Sequence, residues 1–174
     1  MTVAHITGLL GSNEQLFGID RRPTTSALFG LGSSGRLYRL SPTTGAAPSI
    51  SLLTGASLSG TSFGLDFNPV VDRLRVTSSS GQNLRINVDT DTGSVIVDSA
   101  LNGAANSLAA SAYTPDVAGA SAVTLLGISA VSDSPFIQNP PNNGSLVLAG
   151  WLGVARLALP ASTSAAPRGW LSHR

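Results

Sequence analysis

Ser62 to Gly93 reads SFGLDFNPVVDRLRVTSSSGQNLRINVDTDTG, and an earlier stretch, Leu16 to Gly45, reads LFGIDRRPTTSALFGLGSSGRLYRLSPTTG. Both open with Phe-Gly, an apolar residue and an Asp. Both place a Pro three residues after that Asp, then run to a Ser-Ser-Gly turn and a closing Thr-Gly turn. The two aspartates, Asp20 and Asp66, fix the period: 66 minus 20 is 46 residues. A period of this size with about four short strands per unit is close to the ~40–50 residues of a propeller blade. The sequence therefore predicts an all-β chain, a β-propeller-like repeat of four-stranded antiparallel blades. A β-sandwich with similar hairpins is the alternative.

Taken from the start, residues 2 to 10 alternate weakly and predict a strand. Gln15 to Asp20 is a second strand, ended by Pro23, which cannot donate to a central ladder. Ala27 to Leu31 and Arg36 to Ser41 follow, separated by the turn Gly32 to Gly35. Pro42 to Gly45 is a turn with Pro where a fixed φ helps. The second copy predicts strands at Phe63–Phe67, Arg73–Thr77, Asn83–Val88 and Ser94–Asp98. In Arg73–Thr77 the alternation puts Leu74 and Val76 on one face, Arg73 and Arg75 on the other. A weaker third copy places strands at Ala109–Thr114, Val123–Ile128, Phe136–Gln138 and Ser145–Ala149, with a loop over Asn139 to Gly144.

Composition narrows the chemistry. The 174 residues suit one domain. Charged residues are only 11% of them, with 19 Gly and 10 Pro, a pattern of short strands and tight turns. A net charge of +1 gives no case for nucleic acid. No Lys is present, which removes Schiff-base chemistry and a P-loop lysine. No Cys is present, which removes disulfides, thiolate nucleophiles and Cys-based zinc sites. The two His, His5 and His173, stand near opposite ends. The N-terminus lacks the charged and apolar regions of a signal peptide. Val117 to Val131 is short of the ~20 residues of a membrane span, so no membrane insertion is expected.

The segments around Gly18-Ile19-Asp20-Arg21-Arg22-Pro23, Asp66-Phe67-Asn68-Pro69, Gly81-Gln82-Asn83-Leu84-Arg85 and Gln138-Asn139-Pro140-Pro141-Asn142 occur in order along the chain. Together they resemble an uncharacterised bacterial domain family over roughly Gly8 to Val154. That resemblance implies a propeller-like fold and supplies no catalytic residues. Residues 1–154 are accordingly expected to form the repeat domain. From Ala155 the composition shifts to Ala, Arg and Pro with no Asp or Asn, so 155–174 is expected to be an atypical tail, read from a shifted or foreign frame. About three and a half blades do not close a ring, and an open blade edge invites pairing. A homodimer that completes the ring is the expectation.

Several motifs bear on chemistry. Gly60-Thr61-Ser62-Phe63-Gly64 matches the nucleophile-elbow pattern, but a β segment follows it and the downstream His is His173, so a turn entering a strand is the better reading. Gly30 to Gly35 imitates a phosphate loop but sits between strands with no helix to supply amides. Asp89-Thr90-Asp91-Thr92-Gly93 alternates carboxylates, yet Gly falls at the fifth place and Ala100 at the twelfth, so it is not an EF-hand; a hairpin turn is expected, with a surface calcium loop as the alternative. Asp20 and Asp66 occupy equivalent positions. With Asn68 and Asn139 they form the candidate oxygen-ligand set for calcium, and they are the candidate catalytic pair. Asx side chains also cap turns, which is the plainer role. Arg73, Arg75 and Arg85 either pair with Asp72, Asp89 or Asp91 on an outer face or bind the carboxylate or carbonyl of a small-molecule ligand.

Two function classes follow. The expected one is a hydrolase in which calcium assists ring-opening of small lactones or esters, including bacterial signalling lactones, with Asp20 and Asp66 as ligands or base. This rests on analogy with propeller lactonases at the level of fold. The other is a non-catalytic ligand-binding or scaffold module of a bacterial envelope or exported protein.

Overall fold

The computed structural model describes residues 5–89, 93–129 and 131–152. They are all-β and fall into three sheets. The first is β1 (Leu16–Arg21), β2 (Leu28–Gly32), β3 (Arg36–Leu40) and β4 (Ser49–Leu52). The second is β5 (Phe63–Asn68), β6 (Arg73–Ser78), β7 (Asn83–Ile86) and β8 (Val95–Val97). Both run antiparallel in chain order. After the short β9 (Asn102–Gly103), the third sheet contains β10 (Ala110–Thr114), β11 (Thr124–Ser129), β12 (Ser134–Gln138) and β13 (Ser145–Leu148). β9 joins that sheet beyond β13 as a parallel strand, so the order is β10-β11-β12-β13-β9. One 3-10 turn, Pro141–Asn143, sits in the Asn-Pro-Pro-Asn-Asn loop.

The repeat survives in the register. Asp20 faces Phe29 and Asp66 faces Arg75; Gly18 faces Leu31 and Gly64 faces Thr77. Phe29 then faces Arg39, and Arg75 faces Arg85. Every one of these pairs is displaced by the same 46 residues. In the third sheet Ala112 faces Leu126, and Leu126 faces Ile137. The turns obey local rules: Gly35 at φ 80 closes the Ser33-Ser34-Gly35 hairpin in a conformation that costs other residues.

The first strands of the sheets lie side by side, β1 against β5 and β5 against β10. Gly64 permits the second of these approaches, because a Cβ there would overlap the backbone nitrogen of Ser111. The principal core fills the gap between the first two sheets. Phe29, Leu31 and Leu37 come from one side, and Phe63, Phe67, Leu74, Val76, Leu84 and Ile86 from the other. A smaller cluster, Leu101, Leu108, Phe136 and Leu146, lies under the third sheet.

Some expectations changed. The strand expected over residues 2 to 10 is, where described, an irregular segment with one parallel bridge, Thr7 to Ala46. It covers the outer face of the first sheet, where Leu9 packs near Tyr38 and Leu40 and the Tyr38 hydroxyl accepts the Leu10 N–H at 3.2 Å. The fourth strand of the first sheet is instead β4, whose Ser-Ile-Ser-Leu carries too little apolar signal to announce itself. β9 is too short to show any periodicity. Asp91, Trp170, His173 and the whole tail 155–174 lie outside the described residues. No helix among the described residues is long and apolar enough to cross a membrane.

Candidate functional site

Strand alternation gives the second sheet two faces. Leu74, Val76, Leu84 and Ile86 turn toward the first sheet and are buried with it. The opposite face, carrying Asp66, Arg75, Thr77, Asn83 and Arg85, turns toward the third. There the chemistry is polar. Arg75, 2% exposed, donates from Nη1 to Asn83 Oδ1 at 2.8 Å and to Asp98 Oδ2 at 2.6 Å. Its Nη2 donates to Asn142 Oδ1 at 2.7 Å and its Nε to the Tyr113 hydroxyl at 3.3 Å. The side chain thus ties β6 and β7 to β10 and to the 3-10 turn. Asn83 Nδ2 donates to Ser99 O and Pro141 O, Gln138 Nε2 to Asn83 Oδ1 and Pro141 O. Thr77 bonds Ser111 at 3.2 Å.

Asp98 anchors the cations. Its Oδ2 accepts from both Arg75 and Arg85, and its Oδ1 from Arg85 Nη2 at 2.8 Å. Burial works against its ionised form, but the Arg85 and Arg75 hydrogen bonds outweigh that and hold its carboxyl below the usual range. Arg85 is correspondingly raised by the Asp98 hydrogen bond.

At the rim of this network lies a cavity of about 310 Å³. Arg73, Arg75 and Arg85, the three arginines expected to contact a ligand, all line it, with Asn68, Tyr113 and Asn142. Their acid partners differ from those expected. Arg75 and Arg85 use Asp98, and among the described residues Arg73 Nη1 bonds the carbonyls of Val71 and Asp72. Asp72 and Asp89 belong to Arg22, which reaches Asp72 through Nε at 2.8 Å and Nη2 at 2.5 Å, and Asp89 through Nη1 at 2.6 Å.

The candidate calcium and catalytic set is dispersed by role. Asp20 Oδ2 accepts the Phe67 N–H at 2.7 Å, and Asp66 Oδ2 accepts the Tyr113 N–H at 2.6 Å. Each repeat aspartate therefore joins its own first strand to the first strand of the next sheet. Asn68 Oδ1 caps its own turn through the amides of Val70 and Val71. Asn139 is exposed in the loop, its backbone N–H bonded to Ser145 O, and it does not line the 310 Å³ cavity. Among the described residues no three His, Cys, Asp or Glu are grouped to hold a metal ion. Burial raises the carboxyls of both aspartates, Asp66 to about 7, with the nearby charges of Asp20 and Asp116 adding to it.

Tyr113, Asp98 and Asn142 were not singled out from the sequence, although Asn142 belongs to the Gln-Asn-Pro-Pro-Asn motif. Ser62 of the elbow-like motif lies in the turn into β5, where its N–H and that of Thr61 bond Ser79 Oγ.

A family model described as a domain of unknown function (DUF4394) matches residues 1–161, and the chain belongs to that family. No curated protein matches the chain.

Proposed function

We propose that this domain is a non-catalytic binding module, and that the cavity between its second and third sheets takes a small molecule bearing a carboxylate. One observation carries this reading: the equivalent position at the other junction already contains an arginine–carboxylate pair. There a smaller cavity of about 200 Å³ is lined by Arg22, Ala27, Phe29 and Arg39. Adding 46 to each number gives Asn68, Arg73, Arg75 and Arg85. At the first junction the guanidinium of Arg22 is matched bidentately by Asp72 and again by Asp89. At the second junction Arg75 and Arg85 share one carboxylate, Asp98, and Arg73 adds a third guanidinium to the cavity wall. Arg85 Nη1 and Arg73 Nη2 have no protein partner among the described residues. Their surplus positive charge and planar donors suit a carboxylate. The volume is at the small end of ligand pockets. In the same reading the three sheets are successive blades of a propeller-like array, with β1, β5 and β10 as inner strands. The repeat period and the side-by-side first strands support it.

The test is calorimetric titration with a panel of small carboxylates and their neutral amides. Carboxylates are expected to bind and amides not to. Arg85→Gln should weaken binding by about tenfold or more, since charged hydrogen bonds are worth ~1.5–3 kcal/mol. Undiminished affinity in both Arg85→Gln and Arg73→Gln would overturn the assignment.

The hydrolase reading draws on one observation, the raised Asp66 carboxyl. A base poised near neutrality is what ring-opening of a lactone by water would use. Proton release from a lactone panel, followed in the wild type and in Asp66→Asn, separates the two. Turnover that Asp66→Asn abolishes would favour the hydrolase.

A further inference from the structure

In the third sheet the face that corresponds to the junction-forming faces of the first two is covered by no described residue. Cross-strand register aligns two rows there. One is Ala112, Leu126, Ile137 and Val147. The other begins Ala110, Ile128 and Pro135 and continues to Ala149, whose N–H bonds Pro135 O. Leu126 is 37% exposed, Ile128 42% and Val147 58%. These rows contain no charged or polar side chain. Between them lies a concavity of about 280 Å³, walled by Ala110, Ala112, Leu126, Ile128 and Pro135.

Register identifies this surface with the junction-forming faces. Leu126 stands where Phe29 and Arg75 stand, each opposite the residue aligned with Asp20. Ile128 stands where Leu31 and Thr77 stand. In the first two sheets this face is covered by the next sheet. A contiguous apolar sheet face of this kind marks an interaction site.

We propose that this face is a homodimer interface, in which the third sheets of two copies of the chain pack on each other about a two-fold axis. Three features choose this occupant. First, both in-chain junctions use a Gly for close approach and an Asp to take the neighbour's amide. The third unit has Ala110 in place of Gly18 and Gly64, and Ala112 in place of Asp20 and Asp66. A third junction of the same kind lacks its parts. Second, the face of the first sheet that such a junction would have to receive is already occupied. Tyr38 and Leu40, the equivalents of Leu84 and Ile86, are buried beside Leu9, and Tyr38 is bonded by the Leu10 amide. Ring closure onto a second copy's first sheet would need that segment displaced. Third, a face with no charge, carrying both protruding side chains and a concavity, is self-complementary, as an isologous contact requires. The inference is independent of the arginine-lined cavity, which opens on the other side of the third sheet's first strand.

Sedimentation velocity of the full chain tests it. The expected species has twice the 17.6 kDa chain mass. Leu126→Arg and, separately, Ile128→Arg should each return it to the single-chain mass with an unchanged β-type circular dichroism spectrum, because both side chains already meet solvent in one copy. Leu10→Arg, on the covered face of the first sheet, should leave the dimer intact. A single-chain mass for the wild type would overturn the proposal. So would a series of larger species growing with concentration, or a dimer that survives both arginine variants. A dimer broken by Leu10→Arg alone would assign the contact to ring closure instead.

Discussion

At the first junction Phe29 meets Phe67 edge to face, with ring centres 5.2 Å apart. At the second, the residues 46 further on are Arg75 and Tyr113, and they meet through a 3.3 Å hydrogen bond. The exchange runs along the whole contact. Leu31, Leu37 and Leu65 on one side correspond to Thr77, Asn83 and Ser111 on the other. The backbone scheme is unchanged, down to the aspartate that takes the neighbouring strand's amide. Apolar burial stabilises the first junction in proportion to area. The second buries a cation, a carboxylate and several amides, an arrangement that an apolar replacement often equals or exceeds in stability. The fold therefore does not require the polar junction. The second junction borders the cavity proposed above as the binding site, whereas the first is mainly apolar core.

The largest effect that can break this comparison is at Arg75. Arg75→Ala removes one donor each from Asp98, Asn83, Asn142 and Tyr113, while Asp98 keeps Arg85 and Asn83 keeps Gln138, and should lower the unfolding free energy by about 3 kcal/mol in urea denaturation. Converting the second junction to its counterpart, with Arg75→Phe, Thr77→Leu, Asn83→Leu and Asp98→Ser together, should be neutral or more stable by up to about 4 kcal/mol. It should also abolish carboxylate binding. If the converted protein is as unstable as Arg75→Ala, the two junctions are not interchangeable.

The aspartates give a test in pH. The raised Asp66 carboxyl, at about 7 against a usual 3.8, means the folded state holds a proton that the unfolded chain has released. Its contribution is fully present below pH ~4 and is lost as pH rises toward 7, with a slope of at most about 1.4 kcal/mol per pH unit. Asp66→Asn keeps an oxygen for the Tyr113 amide and should flatten that slope in denaturation curves taken from pH 4 to 8. Asp98 and Asp72, held low by their arginines, act with the opposite sign: their contribution is lost as pH falls below about 4. A slope that persists in Asp66→Asn would place the titrating group elsewhere, with Asp20 the next to examine.

Smaller effects sharpen the geometry. Gly64→Ala drives a methyl into the backbone of β10 and should cost about 1–3 kcal/mol, as overpacking does. Gly18→Ala meets only the Leu65 Cδ1 at 2.7 Å, the end of a side chain that can turn, and should cost less. Equal costs would show that the two approaches are equally tight. The smallest change is expected at Asp89→Asn. Its side chain is 55% exposed, and Arg22 keeps Asp72, so thermal denaturation should register no more than about 1 kcal/mol.

Much of the fold was legible from local chemistry. The Phe-Gly-x-Asp openings, the Pro breaks and the Gly turns set strand positions in all three units to within a few residues, because turns and alternation depend on neighbours in sequence. β4 and β9 were not legible: Ser49–Leu52 is short and half polar, and Asn102–Gly103 exists only by pairing with β13. Of the candidate site, the three arginines converge on one cavity, and Asn68 joins them as a turn cap that lines the wall. The expected partners of Arg75 and Arg85 were wrong for a physical reason. Asp98 is 23 residues from Arg75, and only the pairing of β6, β7 and the segment after β8 brings them together.

The amino-acid sequence by itself determined the repeat, the strands and the face on which each side chain sits. A strand's period of two follows from the backbone and shows in any single chain. What covers each face was decided by tertiary structure alone. Arg75 and Phe29 occupy the same place in the same pattern, and so does Leu126. The first is buried in a polar network, the second in an apolar core, and the third is open, because burial depends on which sheet arrives opposite. Alternation separates the faces without saying what meets them.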